Sequence, residues 1–150
     1  MAQILRVSLL SGLLKTCFLS KDKAKPIKIF EVADVALLDP THECGSRNRR
    51  RLGAMICSTG SQFEEIQALL DYVMKQLGVS RKKSTDADRK DGYYLLPSSD
   101  PAFFADIAAA DVIYRGKRIG VMGVIHPEVL ENFNIKFPCG ALELEVEELL

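Results

Sequence analysis

Two stretches of the chain carry apolar side chains at helical spacing. Within residues 5–19 the apolar positions recur at intervals of three and four, which makes one face of a helix. These positions are Leu9, Leu10, Leu13, Leu14, Cys17 and Phe18. The leucine face can pack on the domain's own core or on a partner protein. A second apolar stripe, in residues 63–77, follows the capping residues 58–61 and ends at Gly78, so it predicts the best-defined helix of the chain.

Residues 27–57 predict a strand, a long loop and a second strand. The first run, residues 27–38, is rich in β-branched side chains and is bounded by prolines, as is typical of a strand. Residues 52–57 are apolar without alternation, which favours a short strand that is covered on both faces. The unit is therefore most simply an antiparallel pair.

The intervening residues 39–51 predict a polar loop that is rich in basic side chains. Its arginines are Arg47, Arg49, Arg50 and Arg51. A guanidinium group matches the geometry of anionic oxygens, so this cluster is a candidate phosphate-binding site. A solvated basic turn accounts for the same pattern, and both interpretations stay open at this stage.

The second half of the chain predicts further strands that are mostly linked by hairpins. Residues 81–92 are rich in charge and nearly free of apolar side chains, which indicates a mobile surface loop. Strands are predicted at 93–96, at 111–114 and at 119–125, and a short helix begins at His126-Pro127. Leucines alternate with Glu143, Glu145 and Glu147 near the end, so a strand with one wet face is expected. The fold class is α+β, with an antiparallel sheet flanked by helices.

Composition limits the size and the class of the protein. The chain has 150 residues, of which 47% are hydrophobic and 27% charged, as expected for a single globular domain. Twenty basic and twenty acidic side chains balance, so no net charge attracts nucleic acid or an anionic membrane. No secretory signal or membrane-spanning stretch is recognised, which predicts a soluble, cytoplasmic protein.

Residues that carry chemistry are sparse in this sequence. No phosphate-cradling glycine loop, nucleophile elbow or metalloprotease motif is present, and His126 is expected to cap or pack rather than to catalyse. His42 lies in a predicted loop. The four cysteines contain no C-x-x-C pair, so we expect free thiols and no metal site. They are Cys17, Cys44, Cys57 and Cys139.

Four segments of the chain resemble the C-terminal part of the phenylalanyl-tRNA synthetase beta subunit. They are residues 26–34, 47–52, 100–104 and 116–130. The last of these, with the pattern G-K-x-I-G-x-x-G-x-x-H-P-E-V-L, is the most specific. The resemblance is closest to the archaeal and eukaryotic cytosolic type. It implies that residues 1–150 form a single catalytic-like module of class II synthetase fold, as the C-terminal fragment of a longer subunit.

The resemblance also implies that this module performs no chemistry. Motif 2 of active class II synthetases places an ATP-binding arginine where this sequence has Leu37, and residues 143–150 lack the arginine of motif 3. No cofactor is therefore expected in this fragment, whereas ATP and magnesium serve the whole enzyme. Residues 105–110 depart from the usual family pattern.

Two functions follow from the resemblance. In the first, the module supports the alpha subunit in an alpha2-beta2 assembly that attaches phenylalanine to its tRNA, and Leu10 and Leu14 face that partner. One sheet can cover only one apolar flank of the predicted helix, so the other flank is expected to remain for the partner. In the alternative, the arginine cluster and residues 81–90 contact tRNA.

Overall fold

The fold is one six-stranded antiparallel sheet with helices against both faces. The computed structural model describes residues 8–41, 43, 45–58, 62–103 and 108–149. Its helices are α1 (Leu10–Leu19), α2 (Gln62–Gln76) and α3 (Pro127–Asn132). Its strands are β1 (Ile27–Leu38), β2 (Ser46–Cys57), β3 (Tyr93–Pro97), β4 (Ala109–Tyr114), β5 (Lys117–Val124) and β6 (Cys139–Glu145). Arg89–Asp91 and Val146–Leu149 form short 3₁₀ helices. The predicted class and the antiparallel sheet are confirmed.

The last strand of the chain occupies the middle of the sheet. The strand order is β1-β2-β6-β5-β4-β3, and each neighbouring pair is antiparallel. Strand β6 thus pairs with β2 on one side and with β5 on the other, and Cys57 lies opposite Cys139. Strand β1 lies at an edge of the sheet and has a described neighbour on one side only.

Alternate residues of the strands supply two separate cores. Met55 and Cys57 of β2 belong to the core that α1 covers, whereas Ala54 and Ile56 belong to the core under α2. This division follows from the two-residue period of a strand, which sends successive side chains to opposite faces. Helix α2 ends as predicted, because Gly78 has a φ of 76° and the N–H of Val79 donates to the carbonyl of Met74 over 2.9 Å.

The predicted hairpin between β4 and β5 is confirmed and turns through two residues. Arg115 and Gly116 have φ values of 53° and 76°, the combination of a type I′ turn. Gly120 and Gly123 also have the predicted role of allowing backbone to approach closely. A Cβ atom on Gly120 would lie 2.3 Å from the carbonyl oxygen of Glu143, and one on Gly123 would lie 2.3 Å from that of Ala108.

The predicted loop at 39–51 is wrong in its second half. Strand β2 begins at Ser46, so Arg47, Arg49, Arg50 and Arg51 lie on the strand. Cross-strand pairing with acidic side chains explains the difference, because oppositely charged neighbours stabilise a polar strand pair.

Several predictions fall partly or wholly outside the described residues. These are the start of the first helix at 5–7, His42, Cys44, the capping residues 59–61, Phe104, and residues 105–107 of the departure from the family pattern. Segment 81–92 contains turns and the 3₁₀ helix Arg89–Asp91, and within the segment Lys82 pairs with Asp88 over 2.9 Å. The mobility of this segment stays a prediction. Among the helices described, none has the length and apolar character needed to cross a membrane.

Candidate partner-binding surface

The arginines that the sequence singles out are held by acidic groups of the same chain. Arg51 donates to Glu143 over 2.9 Å and to Glu145 over 3.2 Å. Arg49 pairs with Glu147 over 3.1 Å and also hydrogen-bonds Glu148. The side chains of Arg49 and Arg51 are only 14% and 18% exposed, so their charges point into this network rather than into solvent.

The two more exposed arginines are also paired. Arg47 contacts Asp39 over 3.2 Å, and Arg50 contacts Asp34 over 3.0 Å. The structure therefore places all four predicted arginines on one strand, with Arg50 on the opposite face from the other three, and each has an internal partner. A ligand phosphate would have to compete with a carboxylate for any of them.

The acidic side of this network comes from the chain's end. Glu148 accepts a hydrogen bond from Lys117 over 2.7 Å as well as one from Arg49, and these two bonds, in that order, hold the pKa of Glu148 below its ordinary value. Sequence analysis missed this pairing because the acids lie more than ninety residues from the arginines. The glutamates that alternate with leucines along β6 were the sequence feature from which acidic partners could have been predicted.

Glu143 contradicts the predicted wet face of the last strand. Its side chain is 7% exposed and accepts hydrogen bonds from Ser8 Oγ over 2.8 Å and from Leu9 N over 3.3 Å, besides the pair with Arg51. Ser8 Oγ in turn accepts from the N–H of Leu10. Helix α1 has no acidic residue in its first turn, so Glu143 supplies the negative charge that a helix N-terminus favours.

The leucine helix does not leave one apolar flank uncovered. Leu10 is 8% exposed and Leu14 is 2% exposed, and both belong to the core between α1 and the sheet. A Cβ atom on Gly53 would lie 3.0 Å from Leu13, so the missing side chain of this β2 glycine lets the helix lie directly on the strand. The expectation that one flank stays uncovered is therefore wrong, whereas the partner contact of Leu10 and Leu14 is not tested by this burial and stays a prediction.

The position aligned with the ATP-binding arginine contains no polar group. Leu37 is half-buried and packs against the core on the α1 side of the sheet. A pocket of about 340 Å³ on the same side is lined by two basic side chains, Arg51 and Arg118, and by three acidic ones. The acids are Asp100, Glu143 and Glu145. A triphosphate would meet more negative than positive charge there, so the residues present do not fit ATP.

An uncovered apolar surface lies on the opposite side of the sheet. Helix α2 packs over β2, β5 and β6, and the edge strand β1 projects beyond it. The groove between them has a volume of about 660 Å³, and we call it the β1–α2 groove. The apolar side chains that line it from the α2 side of the sheet are Phe30, Leu52, Ala54, Ile56, Ala68, Leu69, Tyr72 and Val73.

Large side chains at this groove are exposed to an unusual degree. Phe30 is 76% exposed and Tyr72 is 63% exposed. Val32 and Leu38, at 52% and 93%, lie on the same face of β1, with the ion-paired Asp34 between them. Exposed apolar patches on an edge strand are typical of protein interaction sites. Sequence analysis assigned no site here, although the apolar residues on both faces of the first strand were a usable signal.

Comparison with known proteins confirms the family that the sequence motifs indicated. The family model described as phenylalanyl tRNA synthetase beta chain CLM domain matches residues 1–146. The phenylalanine–tRNA ligase beta subunit of Arabidopsis thaliana, named cytoplasmic, is 41% identical over 99% of this chain, and that of Drosophila melanogaster is 41% identical over 97%. The human beta subunit is 36% identical over 99%. The chain spans about a quarter of the length of these curated relatives.

Solved structures of low sequence identity share the fold. A crystal structure of pyrrolysyl-tRNA synthetase from Desulfitobacterium hafniense matches with a TM-score of 0.70 at 15% identity, over 96% of this chain and 48% of that one. A second structure of a pyrrolysyl-tRNA synthetase from that organism gives 0.72 at 16% identity, with the same coverage. The sheet is therefore of the class II synthetase type. Together with the family match over residues 1–146, this fold shows that the chain belongs to the family of the phenylalanyl-tRNA synthetase beta chain CLM domain.

Proposed function

We propose that this domain is a non-catalytic assembly module of a phenylalanine–tRNA ligase, which binds an alpha subunit within an alpha2-beta2 assembly in the cytoplasm. The names of the relatives support this, because a beta subunit implies an alpha partner and the Arabidopsis relative is called cytoplasmic. The chain corresponds to only a quarter of those subunits. Attachment of phenylalanine to tRNA, with ATP and magnesium, is assigned to the whole enzyme.

The absence of adenylation chemistry follows from the environment of Leu37. Negative charge on the phosphates must be stabilised in the transition state, and a bidentate guanidinium supplies the donors for this. A half-buried leucine supplies none, and the lining of the pocket on the same side of the sheet carries more acids than bases. We expect no phenylalanine-dependent exchange of pyrophosphate into ATP by the isolated chain. Exchange above that of a boiled sample would contradict this part of the proposal.

The β1–α2 groove is the observation that carries the assembly role. Two aromatic side chains with most of their surface in water gain free energy when a partner covers them, about 1.5–3 kcal/mol for each complete burial. The groove is lined mainly by apolar atoms, and its charged lining consists of Lys28 and Glu65. A helix or strand of an alpha subunit with an apolar face would therefore fit it.

Co-purification tests the groove directly. The chain is co-expressed with the alpha subunit of a close relative, such as that of Arabidopsis thaliana, and Phe30→Asp is compared with Leu19→Asp. Leu19 is a matched control because it is 80% exposed but lies at the end of α1, on the other face of the sheet. Loss of about 1.4 kcal/mol corresponds to a tenfold weaker complex, so we expect at least that for Phe30→Asp and no change for Leu19→Asp.

Thermal melting of both variants completes the test. Both side chains are exposed, so each substitution should change the free energy of unfolding by no more than about 0.5 kcal/mol. If Phe30→Asp melts like the unmodified chain and still co-purifies fully, the groove is not the binding surface. The assembly role then loses the structural observation that supports it.

Contact with tRNA through the arginine cluster is the alternative that the internal pairing disfavours. Phosphates bound by free arginines release counterions, and log affinity then falls with log salt at a slope of about −0.7 to −0.9 per contact. Since each arginine already has a carboxylate partner, we expect weak tRNA binding with a flat slope. A steep slope that disappears in Arg47→Ala or Arg50→Ala would favour the tRNA role instead.

A further inference from the structure

Three cysteines from distant parts of the chain meet in the interior. Cys17 comes from the third turn of α1, Cys57 is the last residue of β2, and Cys139 is the first residue of β6. The sulfur atoms of Cys17 and Cys57 are 3.0 Å apart, as are those of Cys57 and Cys139, and all three lie within 4.8 Å of one another. Each is fully buried and none forms a disulfide. The chain's fold, rather than any short-range sequence motif, creates this cluster.

A fourth sulfur completes the group. Met55, two residues before Cys57 on the same face of β2, has its Sδ atom 3.3 Å from the sulfur of Cys17. Met55 is also fully buried. We call Cys17, Met55, Cys57 and Cys139 the sulfur cluster. Thiols and a thioether are soft donors, and donors of this kind select copper(I), zinc or iron–sulfur centres over hard cations.

The spacing of the sulfurs suits a single metal ion. Metal–sulfur bonds of about 2.3 Å place two ligand sulfurs roughly 3.8–4.0 Å apart in tetrahedral or trigonal geometry. The distances within the cluster, from 3.0 Å up to a limit of 4.8 Å, bracket this value. Side-chain adjustments of less than 1 Å would therefore bring three thiols around one ion, without a change in the strand pairing of Cys57 with Cys139.

We propose that the sulfur cluster is a site for copper(I). Zinc in structural sites takes four strong donors, usually cysteine and histidine, whereas the fourth donor here is a thioether. Copper(I) accepts thioether sulfur, as in methionine-containing copper sites. The candidate ligands found among the described residues at this position are sulfurs alone, with no histidine or carboxylate in the group. This all-sulfur set is the observation that favours copper(I).

Binding of copper(I) to the cluster is coupled to loss of the thiol protons, since the thiolate is the form that ligates a metal. On binding, each coordinating thiol releases its proton to solvent and its sulfur donates a lone pair to copper. The oxidation state of the metal does not change.

A surface depression of about 450 Å³ is lined by Phe18 and Phe137, each of which lies within two residues of a cluster cysteine. Once bound, the ion would link α1 to the two central strands β2 and β6. Because it would bind the folded chain more tightly than the unfolded one, the site would hold α1 in its place on the sheet.

Competition titration tests the site on the reduced, metal-free chain. Copper(I) is added without oxygen in the presence of bicinchoninate, a chromophoric copper(I) chelator, and zinc is titrated in a parallel sample with a zinc indicator. We expect one copper(I) per chain, a rise in the melting temperature, and a first coordination shell of sulfur alone in X-ray absorption. The proposal would be overturned if zinc bound in preference to copper(I). It would equally be overturned if the cysteines formed a disulfide and the chain, once reduced, took up no metal, or if nitrogen or oxygen were found in the coordination shell of copper.

Variants locate the ion. Cys139→Ser should weaken copper(I) binding by about 100-fold or more, since loss of even a supporting group near a metal costs about 10- to 100-fold. Met55→Leu conserves volume, so it should keep the fold while weakening binding less. Unchanged binding in both variants would contradict the proposal. If Cys139→Ser does not fold, as seen by circular dichroism, the coordination shell of the unmodified chain decides.

Cys44→Ser is the matched control for these variants. Cys44 itself lies outside the described residues, but its neighbours Glu43 and Gly45 are in the turn between β1 and β2. Cys57 lies at the opposite end of that hairpin, where it pairs with Ile27. Copper(I) binding should therefore be unchanged in Cys44→Ser, and its loss there would show an adventitious thiol site instead.

Discussion

Removal of the Glu143 carboxylate should destabilise the domain strongly, although the sequence suggests a solvent-exposed residue. The carboxylate is nearly buried and accepts hydrogen bonds from Arg51, from Ser8 and from the N–H of Leu9. Glu143→Ala would leave all three donors without this acceptor. Arg51, at 18% exposure, would lose this ion pair and keep the one with Glu145, and the N-terminus of α1 would lose its nearby negative charge.

The expected magnitude follows from the burial of this pair. Removal of one member of a buried ion pair costs about 3–5 kcal/mol, and the remaining contact with Glu145 favours the lower end, about 3 kcal/mol. For a domain of this size each kcal/mol shifts the melting temperature by about 2–4 °C. Glu143→Ala should therefore melt roughly 6–12 °C below the unmodified chain. Glu143→Gln keeps an acceptor oxygen and should lose clearly less.

Urea unfolding and thermal melting measure this effect, with Glu147→Ala as the matched control. Glu147 pairs with Arg49 over 3.1 Å but is 42% exposed, so its removal should cost less than about 1 kcal/mol. The midpoint in urea must fall without a change in slope, since a changed slope indicates an altered denatured state. Equal stability of the two alanine variants would refute the conclusion that Glu143 anchors α1 to the sheet.

Three further predictions concern other parts of the domain. Leu14→Asp should unfold the chain before it affects any partner, because burial of Leu14 leaves no place for a carboxylate, whereas the exposed Leu19→Asp should melt normally; thermal melting distinguishes them. Glu148→Gln should be less stable than the unmodified chain above pH 4.5, because the hydrogen bond from Lys117 depresses the folded-state pKa of Glu148. The difference in stability should shrink as the pH falls below this value. A constant difference in acid titrations monitored by circular dichroism would contradict this. Trypsin should cut first within residues 81–91, where few apolar side chains offset the entropy of ordering, and first cleavage elsewhere, identified by mass spectrometry, would count against this.

Elements that depend on neighbouring residues could be predicted from the sequence. Strand β1 begins and ends where the prolines and the β-branched run place it, and α2 ends at Gly78 as its capping signal indicates. The β4–β5 hairpin and the capping role of His126, whose Nδ1 accepts from the N–H of Glu128 over 3.1 Å, were also correct. In each case the determining contacts lie within a few residues along the chain.

The features that sequence analysis missed depend on the central position of β6. This strand pairs with β2, more than eighty residues earlier, and places Glu145 opposite Arg51 and Cys139 opposite Cys57. Because Glu145 lies opposite Arg51, residues that were expected to form a basic loop form a paired strand. The pairing of Cys139 with Cys57 creates the sulfur cluster. No local pattern specifies which strand receives β6 as its neighbour, so neither outcome could be derived from spacing or composition.

The structure also explains how a class II fold can persist without the arginine of motif 2. The stability of the sheet comes from two apolar cores distributed over many side chains, and Leu37 contributes to the α1 side of them. An apolar residue at this position therefore does no harm to the fold, whereas the resemblance implies that adenylation requires the arginines of motifs 2 and 3. The charged residues on the same side are neutralised by one another, which leaves them little capacity to bind an anion. The largest apolar side chain of β1, that of Phe30, remains in solvent, and this is why Phe30→Asp, rather than any change in the arginines, should separate assembly from folding.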